Sequence, residues 1–427
     1  MTISIRKLLY LILYTALIQG FLSSYFGLGF INYLTDLFQL FCLLILFKPH
    51  TKKRKHLEKS QIMVLLPIIV FTVVIFIGWI INGANALQAL WGIRNYFRFF
   101  LYFFLCVRTF NFEDYDKIAD IILKIFPLHI LIILYQFFIE RLDYDFLGGI
   151  FGKYQGCAGG LMIYYGILTI ILLLKYEHKN IKIHNLLTYF SLILLTAALA
   201  ELKAFFIYFI LSIITYSLVT RNKIKGAVIF LLGVFGFFIG LQVLIRYFPS
   251  FESFFTLDNI IRQLTDKNAS YTYREGLDVG RSSIFFKLEP VISQWGGRFA
   301  KWFGLGLGNA EYSTSFSFLN SKFYNSYVRS NYMHFSLSFL FVETGYFGTL
   351  AYCIFFVLLE IIAVDKALQN KSNYYSTMNI LLPILCLFLV YYNASLRTNY
   401  AFIIFAILPI VITSCNVGVH CTSNNNN

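Results

Sequence analysis

The sequence predicts an all-α fold, a polytopic bundle of about twelve transmembrane helices with one large loop on its outer face. Three observations predict it. Of the 427 residues, 58% are hydrophobic and 13% are charged. A soluble domain carries roughly 25% charged residues, so this chain lacks the polar side chains needed to cover a water-facing surface. Apolar runs near the length of a bilayer crossing recur along it. Basic residues gather in alternate connections between those runs, as the positive-inside bias requires.

A helix needs about 20 mostly apolar residues to cross the hydrocarbon. Such runs begin near Leu8, Phe30, Ile62, Tyr96, Asp120, Cys157, Leu186, Lys203, Gly226, His334, Met378 and Thr398. The first follows Arg6 and Lys7 in the manner of a signal peptide. No small-x-small cleavage site comes after it and further runs follow soon, so it reads as an uncleaved span. The seventh and eighth runs are separated only by Glu201, Leu202 and Lys203, which makes them a tight hairpin. With the N-terminus inside, the inner connections hold Arg6, Lys7, Lys48, Lys52, Lys53, Arg54, Lys55, Lys59, Arg108, Lys117, Lys175, Lys179, Lys182, Arg221, Lys223, Lys225, Lys366 and Lys371. The short outer connections hold only Arg94, Arg141, Lys153, Lys203 and Arg397. This bias favours an even number of spans with both termini on the cytoplasmic side.

The domain organisation follows. Residues 1–245 form an N-terminal transmembrane bundle of about nine spans. Residues 246–333 form the one long extramembrane loop, and 334–427 form the C-terminal membrane helices and a short cytoplasmic tail. The formal net charge of +14 sits largely in the inner connections, so topology accounts for it and a nucleic-acid partner is not expected. The 48 Phe and 30 Tyr accompany many Ile, Asn and Lys and read as gene composition, without functional weight. The seven cysteines form no CxxC pair and none stands beside histidines at metal-ligand spacing. Neither a metal site nor a disulfide framework is expected. No GxxxxGK[ST] occurs and the inner connections are short, which excludes a P-loop ATP-driven pump subunit. The Asn run at 424–427 is low in complexity and reads as disordered.

Chemistry, if any, therefore faces outward. Lys203, Arg274, Arg281, Arg298, Arg329 and Arg397 collect on that side, with Arg94 and Arg98 at the outer end of the fourth run. Guanidinium groups suit bidentate phosphate recognition, so these residues are candidates for binding a lipid-linked pyrophosphate. The same residues could instead meet lipid headgroups or pair with loop acids. Lys203 and Arg397 stand out because each lies in a very short turn at the membrane edge. Of the histidines, His50, His56, His178, His184 and His420 fall on the inner side and His129 inside a span. His334 alone lies where the long loop meets the tenth run. A side chain that titrates near neutrality there is suited to take a proton from a sugar hydroxyl.

The stretch His334-Phe335-Ser-Leu-Ser-Phe-Leu-Phe-Val-Glu343-Thr-Gly345-Tyr-Phe-Gly348 resembles the signature of the O-antigen polymerase/O-antigen ligase superfamily, roughly His-Asn-x-x-Leu-x-x-x-x-Glu-x-Gly-x-x-Gly. The His, the Glu and both Gly stand at matching spacing, while Phe335 replaces the Asn. Upstream, Gly304-Leu-Gly306-Leu-Gly308-Asn309 resembles the glycine-rich turn these proteins carry before that signature. The Glu201-Leu202-Lys203 turn resembles their short Ser-Arg-Gly outer turn, with Lys in place of Arg and no Gly.

The resemblance implies a metal-independent, nucleotide-independent glycosyltransferase without cofactors. Its substrate class is glycan carried on undecaprenyl pyrophosphate at the periplasmic side of a bacterial inner membrane. A polymerase moves the growing chain onto a new lipid-linked repeat unit, and polymerases of this family usually work beside a chain-length regulator. A ligase moves the finished chain onto lipid A-core. In either, His334 is the expected base, and the outer cations stabilise the departing pyrophosphate. Glu343 is a weaker candidate for the base; nine helical positions put it about two and a half turns from His334, so its alternative role is to cap or orient nearby backbone. Gly345 and Gly348 are expected to permit a bend or close helix packing. A third reading is a transporter of lipid-linked oligosaccharide, which would favour repeated halves and broken mid-membrane helices. The sequence has no such symmetry, and its incomplete match to the ligase pattern at Phe335 and Lys203 favours the polymerase. Surface polysaccharides other than O-antigen, capsule included, fit equally well.

Overall fold

The computed structural model describes residues 4–46, 58–83, 85–220, 222–247, 278–328, 330–369 and 376–413, together with residues 249, 252, 265 and 266. Arg274 and Arg329, two of the six outer cations, lie outside the described residues. Within the described residues the chain is all-helical, with no strand. Before the long loop come α1 (Ile5–Phe26), α2 (Leu34–Leu46), α3 (Lys59–Asn82), α4 (Ala86–Thr109), α5 (Phe112–Phe138), α6 (Ala158–Glu177), α7 (Ile183–Leu199), α8 (Lys203–Val219) and α9 (Lys223–Tyr247). The loop holds α10 (Ile284–Gly296), α11 (Ala300–Phe303) and α12 (Lys322–Ser326). After it come α13 (Ser336–Gln369), α14 (Ser376–Tyr392) and α15 (Ala401–Ile407), the last continued as a 3-10 turn to Val411.

Seven helices are long and apolar enough to cross a membrane: α1, Gly29–Leu46, α3, α5, α6, Lys223–Val243 and α13. The remaining apolar helices, α7, α8, α14 and Ala401–Val411, are shorter. α4 has the length, 24 residues, but carries Arg94 and Arg98 inside it. By length and composition the described residues thus contain seven membrane-crossing helices, where the sequence suggests about twelve. The shortfall lies in the short helices and in the arginines of α4.

Helix ends sort into two groups. At one end, Arg6 of α1 donates to the Thr109 carbonyl of α4 and faces Asp114 at the start of α5. Tyr115 reaches Thr413 beyond α15, and Lys366 near the end of α13 donates to the Val411 and Thr413 carbonyls. Lys175 near the end of α6 pairs with Asp120 of α5 at 2.7 Å, and the Thr377 hydroxyl of α14 donates to Glu177. Lys153 and Glu140 pair at the opposite ends, between α5 and α6. The start of α13 is tied to the end of α14 there, through Ser336 N–H to the Asn393 carbonyl at 2.9 Å. Neighbouring helices thus run in alternating directions. The described residues just before α13 enter the bundle at this second group of ends.

The core forms around α6, whose residues from Gly160 to Leu174 are all buried. A helix that is apolar on every side belongs in the interior of a bundle, and α6 is flanked by α5, α7, α8, α14 and α15. A second aromatic core joins α3, α4 and α13. Phe71, Tyr96, Phe100, Tyr352 and Phe355 meet there with ring centroids 5.0–6.4 Å apart, in the edge-on and tilted arrangements that aromatic quadrupoles favour. This packing accounts structurally for part of the Phe and Tyr content.

Candidate functional site

α13 is broken at Gly345, whose φ of 61° places it in the left-handed region. The break brings its backbone against the glycine-rich segment. Leu305 N–H donates to the Val342 carbonyl at 2.8 Å and Gly306 N–H to the Glu343 carbonyl at 3.0 Å. In an unbroken helix those carbonyls would face residues 346 and 347. The approach leaves no room for side chains. A Cβ on Gly304 would lie 2.2 Å from the Glu343 carbonyl carbon, and one on Gly345 would lie 2.4 Å from that of Trp302. Both glycines also have positive φ, which other residues adopt only with strain. Gly348 packs against Thr344 of its own helix.

Glu343 secures the next turn of the same segment. Its side chain is fully buried, and Oε1 accepts from Gly308 N–H at 2.9 Å and Ala310 N–H at 3.3 Å. α3 and α4 hold the segment from the other side. Trp79 Nε1–H donates to the Leu307 carbonyl at 2.7 Å, Asn82 to the Gly304 carbonyl at 2.9 Å, and Gln88 to the Asn320 carbonyl at 3.0 Å. Tyr332 closes the arrangement, its hydroxyl donating to the Ala310 carbonyl at 2.9 Å. Of the two roles sequence reasoning leaves open for Glu343, base or backbone anchor, its position fits the anchor.

The anchored segment delivers Glu311. Its carboxylate pairs with Arg397 on the turn between α14 and α15, both side chains being buried. The Arg397 guanidinium also lies 3.2 Å above the Phe339 ring and 5.2 Å from that of Tyr96, a cation–π enclosure. Burial acts to lower the Arg397 pKa. The Glu311 carboxylate, with Tyr96 and Glu343 adding to it, outweighs burial and raises the pKa above the ordinary arginine value. The Arg397 charge is thus neutralised inside the protein and not presented at an open surface.

A polar network extends from this turn toward α4. Arg98 donates to the Arg397 carbonyl at 3.0 Å and to Asn399 Oδ1 at 2.6 Å. Asn399 in turn donates to Gln19 of α1 at 2.9 Å and to the Asn32 carbonyl at 2.7 Å. Arg98 also faces Asp36 at 3.6 Å, and Asp36 pairs with Arg94.

The remaining predicted residues occupy a second, more open region. His334 is exposed and ends a one-turn 3-10 helix, its N–H bonded to the Asn331 carbonyl at 3.0 Å. The Asn331 side chain fastens the loop at Val279 N–H, 2.7 Å, and Asp278, 2.8 Å. Arg281 stacks 3.8 Å above Tyr392 and 5.2 Å from Phe335, the residue after His334, and donates to the Tyr392 carbonyl at 3.0 Å. Lys203 lies within electrostatic reach of both Arg281 and Glu201. Glu201 sits in the α7–α8 turn at φ 52°, unusual for a residue with a Cβ. Partial burial pushes its carboxyl up to about 7, with Lys203 lowering it and Asp143 and Asp145 raising it. Arg298 is exposed on the turn between α10 and α11, and among the described residues no ion pair joins it to the others.

The structure therefore divides the predicted cations. Arg281 and Lys203 gather beside the residues flanking His334, Arg397 is enclosed behind them, and Arg298 stands apart. Glu311, Asn399 and Asp36 were not legible as site residues. No protein-family model matches the chain, and no curated protein matches it either.

Proposed function

We propose that the protein is a surface-polysaccharide polymerase. It transfers a growing undecaprenyl-pyrophosphate-linked glycan onto a new lipid-linked repeat unit at the periplasmic face of a bacterial inner membrane. In this reading the seven long helices, α4 and the four shorter apolar helices make twelve spans. Both termini are cytoplasmic and residues 246–333 are periplasmic. The observation that carries it is the contact of the Glu343 carboxylate with Gly308 and Ala310 N–H, which joins two motif segments separated in sequence and seats Glu311 on Arg397.

In the reaction an acceptor sugar hydroxyl attacks the anomeric carbon of the donor glycan. The bond from that carbon to the pyrophosphate oxygen breaks, and the lipid pyrophosphate leaves with the electron pair. His334, exposed at the loop–α13 junction, takes the hydroxyl proton. Arg281 and Lys203 stabilise the charge that develops on the leaving group. Glu343 and Arg397 act as positioning residues. Arg274 and Arg329 remain candidates for the pyrophosphate, as does Arg298 if the loop brings it near. No metal, nucleotide or other cofactor takes part. A chain-length regulator is the expected protein partner.

The test is gel profiling of cell-surface glycan in a deletion strain and in strains restored with wild type or His334→Ala at matched protein level. A single repeat unit on the lipid core in the deletion identifies a polymerase. Bare core with long chains still on undecaprenyl pyrophosphate identifies a ligase instead. Lipid-linked repeat units held at the cytoplasmic face identify a transporter. Full restoration of the ladder by His334→Ala removes that residue from the mechanism.

A further inference from the structure

A groove of about 590 Å³ opens on the side of the bundle between α2, α3 and α4. Its walls are apolar, with Leu40, Leu43, Ile68, Phe97, Leu101 and Phe104 among them, and Leu40 at its edge is 52% exposed. Its polar end is made by Asp36, Arg94 and Arg98. From Arg94 to Phe104 the groove follows α4 for ten residues, roughly 15 Å at the helical rise. That length suits a hydrocarbon chain better than a small solute.

The charges at the polar end do not cancel. Among the described residues the one carboxylate paired with Arg94 and Arg98 is Asp36, which pairs with Arg94 and lies 3.6 Å from Arg98, while Glu311, whose charge also reaches Arg98, is neutralised by Arg397. The other partners of the two guanidinium groups carry no charge: the oxygens of Asn95, Asn399 and the Arg397 carbonyl, and the ring faces of Tyr33, Trp91, Phe99 and Phe402. One positive charge is left over at the head of an apolar trough that faces the side of the bundle. We propose that this groove is a binding site for an anionic glycerophospholipid of the surrounding bilayer. One acyl chain lies along α4 and the phosphodiester rests at Arg94, whose guanidinium is the more exposed of the two. A single excess charge matches a monoanionic phosphodiester, whereas a pyrophosphate would bring about twice that charge or more. Because Arg98 also holds the Arg397 carbonyl and Asn399, the lipid headgroup is one side chain away from the turn that pairs with Glu311. The inference does not rest on the glycosyl-transfer reading.

The test uses the purified full-length protein in mixed micelles containing phosphatidylglycerol, phosphatidylcholine or a polyprenyl monophosphate, with retained lipid counted by native mass spectrometry. The wild type should retain phosphatidylglycerol about five-fold or more over phosphatidylcholine, the bias expected of one basic side chain at a membrane surface. Arg94→Gln should remove the bias. Asp36→Asn, which removes the opposing negative charge, should strengthen it, and Leu40→Trp should reduce retention of all chains by filling the groove. Equal wild-type retention of phosphatidylglycerol and phosphatidylcholine overturns the proposal without recourse to any variant. Displacement of phosphatidylglycerol by the polyprenyl phosphate at equal concentration also overturns it, because the groove then belongs to a polyprenyl carrier.

Discussion

Arg397 and Glu311 form an ion pair in which both side chains are withdrawn from solvent, to 9% and 2% exposure. They are 86 residues apart in the chain. Each is presented by a segment fixed elsewhere: Glu311 by the glycine-rich loop that Glu343 anchors, and Arg397 by the turn that Arg98 and Ser336 hold. Removing one charge of such a pair leaves the other buried and uncompensated, at a cost of about 3–5 kcal/mol. Glu311→Gln is therefore expected to lower the thermal midpoint in detergent sharply. Glu311→Gln combined with Arg397→Gln should cost less than the sum of the single changes, since residues in contact are not additive. Additive losses in a double-mutant cycle would show that the pair does not couple the two segments.

Glu343 offers a finer test. Its Oε1 satisfies two loop N–H groups. Leaving a buried donor unsatisfied costs about 1–3 kcal/mol. Glu343→Gln keeps an acceptor oxygen at nearly the same place, and Glu343→Ala removes it. The Gln variant should remain close to wild type in thermal midpoint and in the rate of proteolysis within residues 304–312. The Ala variant should lose stability and be cut faster there. If Gln abolished glycan transfer while leaving proteolysis unchanged, the carboxylate would have a chemical role beyond anchoring.

Gly304 and Gly345 face one another across backbone contacts, so substitution at either acts on the same interface. A left-handed conformation costs a residue with a Cβ about 1–2 kcal/mol, and the new methyl must also displace backbone at 2.2 Å or 2.4 Å. Gly304→Ala and Gly345→Ala should each destabilise by several-fold more than Gly27→Ala. At Gly27 φ is also positive, 69°, but nothing lies within 4 Å of the new methyl. Folded yield after membrane extraction, compared across the three variants, checks this ordering.

These contacts mark what the sequence made legible. The spacing from His334 through Glu343 to Gly348 is local, and Gly304 to Gly308 is local too, so the two motifs can be read separately from the chain. Their convergence depends on a break in α13 at Gly345 and on clasping by Trp79 and Asn82, which no period or spacing announces. Glu311 and Asn399 look like ordinary loop polar residues until the fold sets them on Arg397 and Arg98. The same limit appears in the span count. Apolar runs locate helices well, but α7, α8, α14 and α15 are too short to be recognised as crossings by length. In α4 it is the arginines serving the polar network that interrupt the apolar pattern.

Glu201 carries the pH dependence that can be argued with a definite sign. Its carboxyl is pushed up from 4.5 to about 7, first by partial burial, against the opposing charge of Lys203 and with Asp143 and Asp145 adding to the rise. The folded state therefore holds the proton more tightly than the unfolded chain. Its contribution to stability is fully present below about 4.5 and is lost as pH rises through 7. Between those values the unfolded chain gives up the proton first, so stability should fall with increasing pH. Glu201→Gln carries no titrating group and should flatten that part of the profile. The check is the difference in thermal midpoint between wild type and Glu201→Gln at pH 5 and at pH 8. The gap should shift in favour of the variant at the higher pH. Parallel profiles would mean that the Glu201 carboxyl is solvated and titrates like an ordinary surface acid.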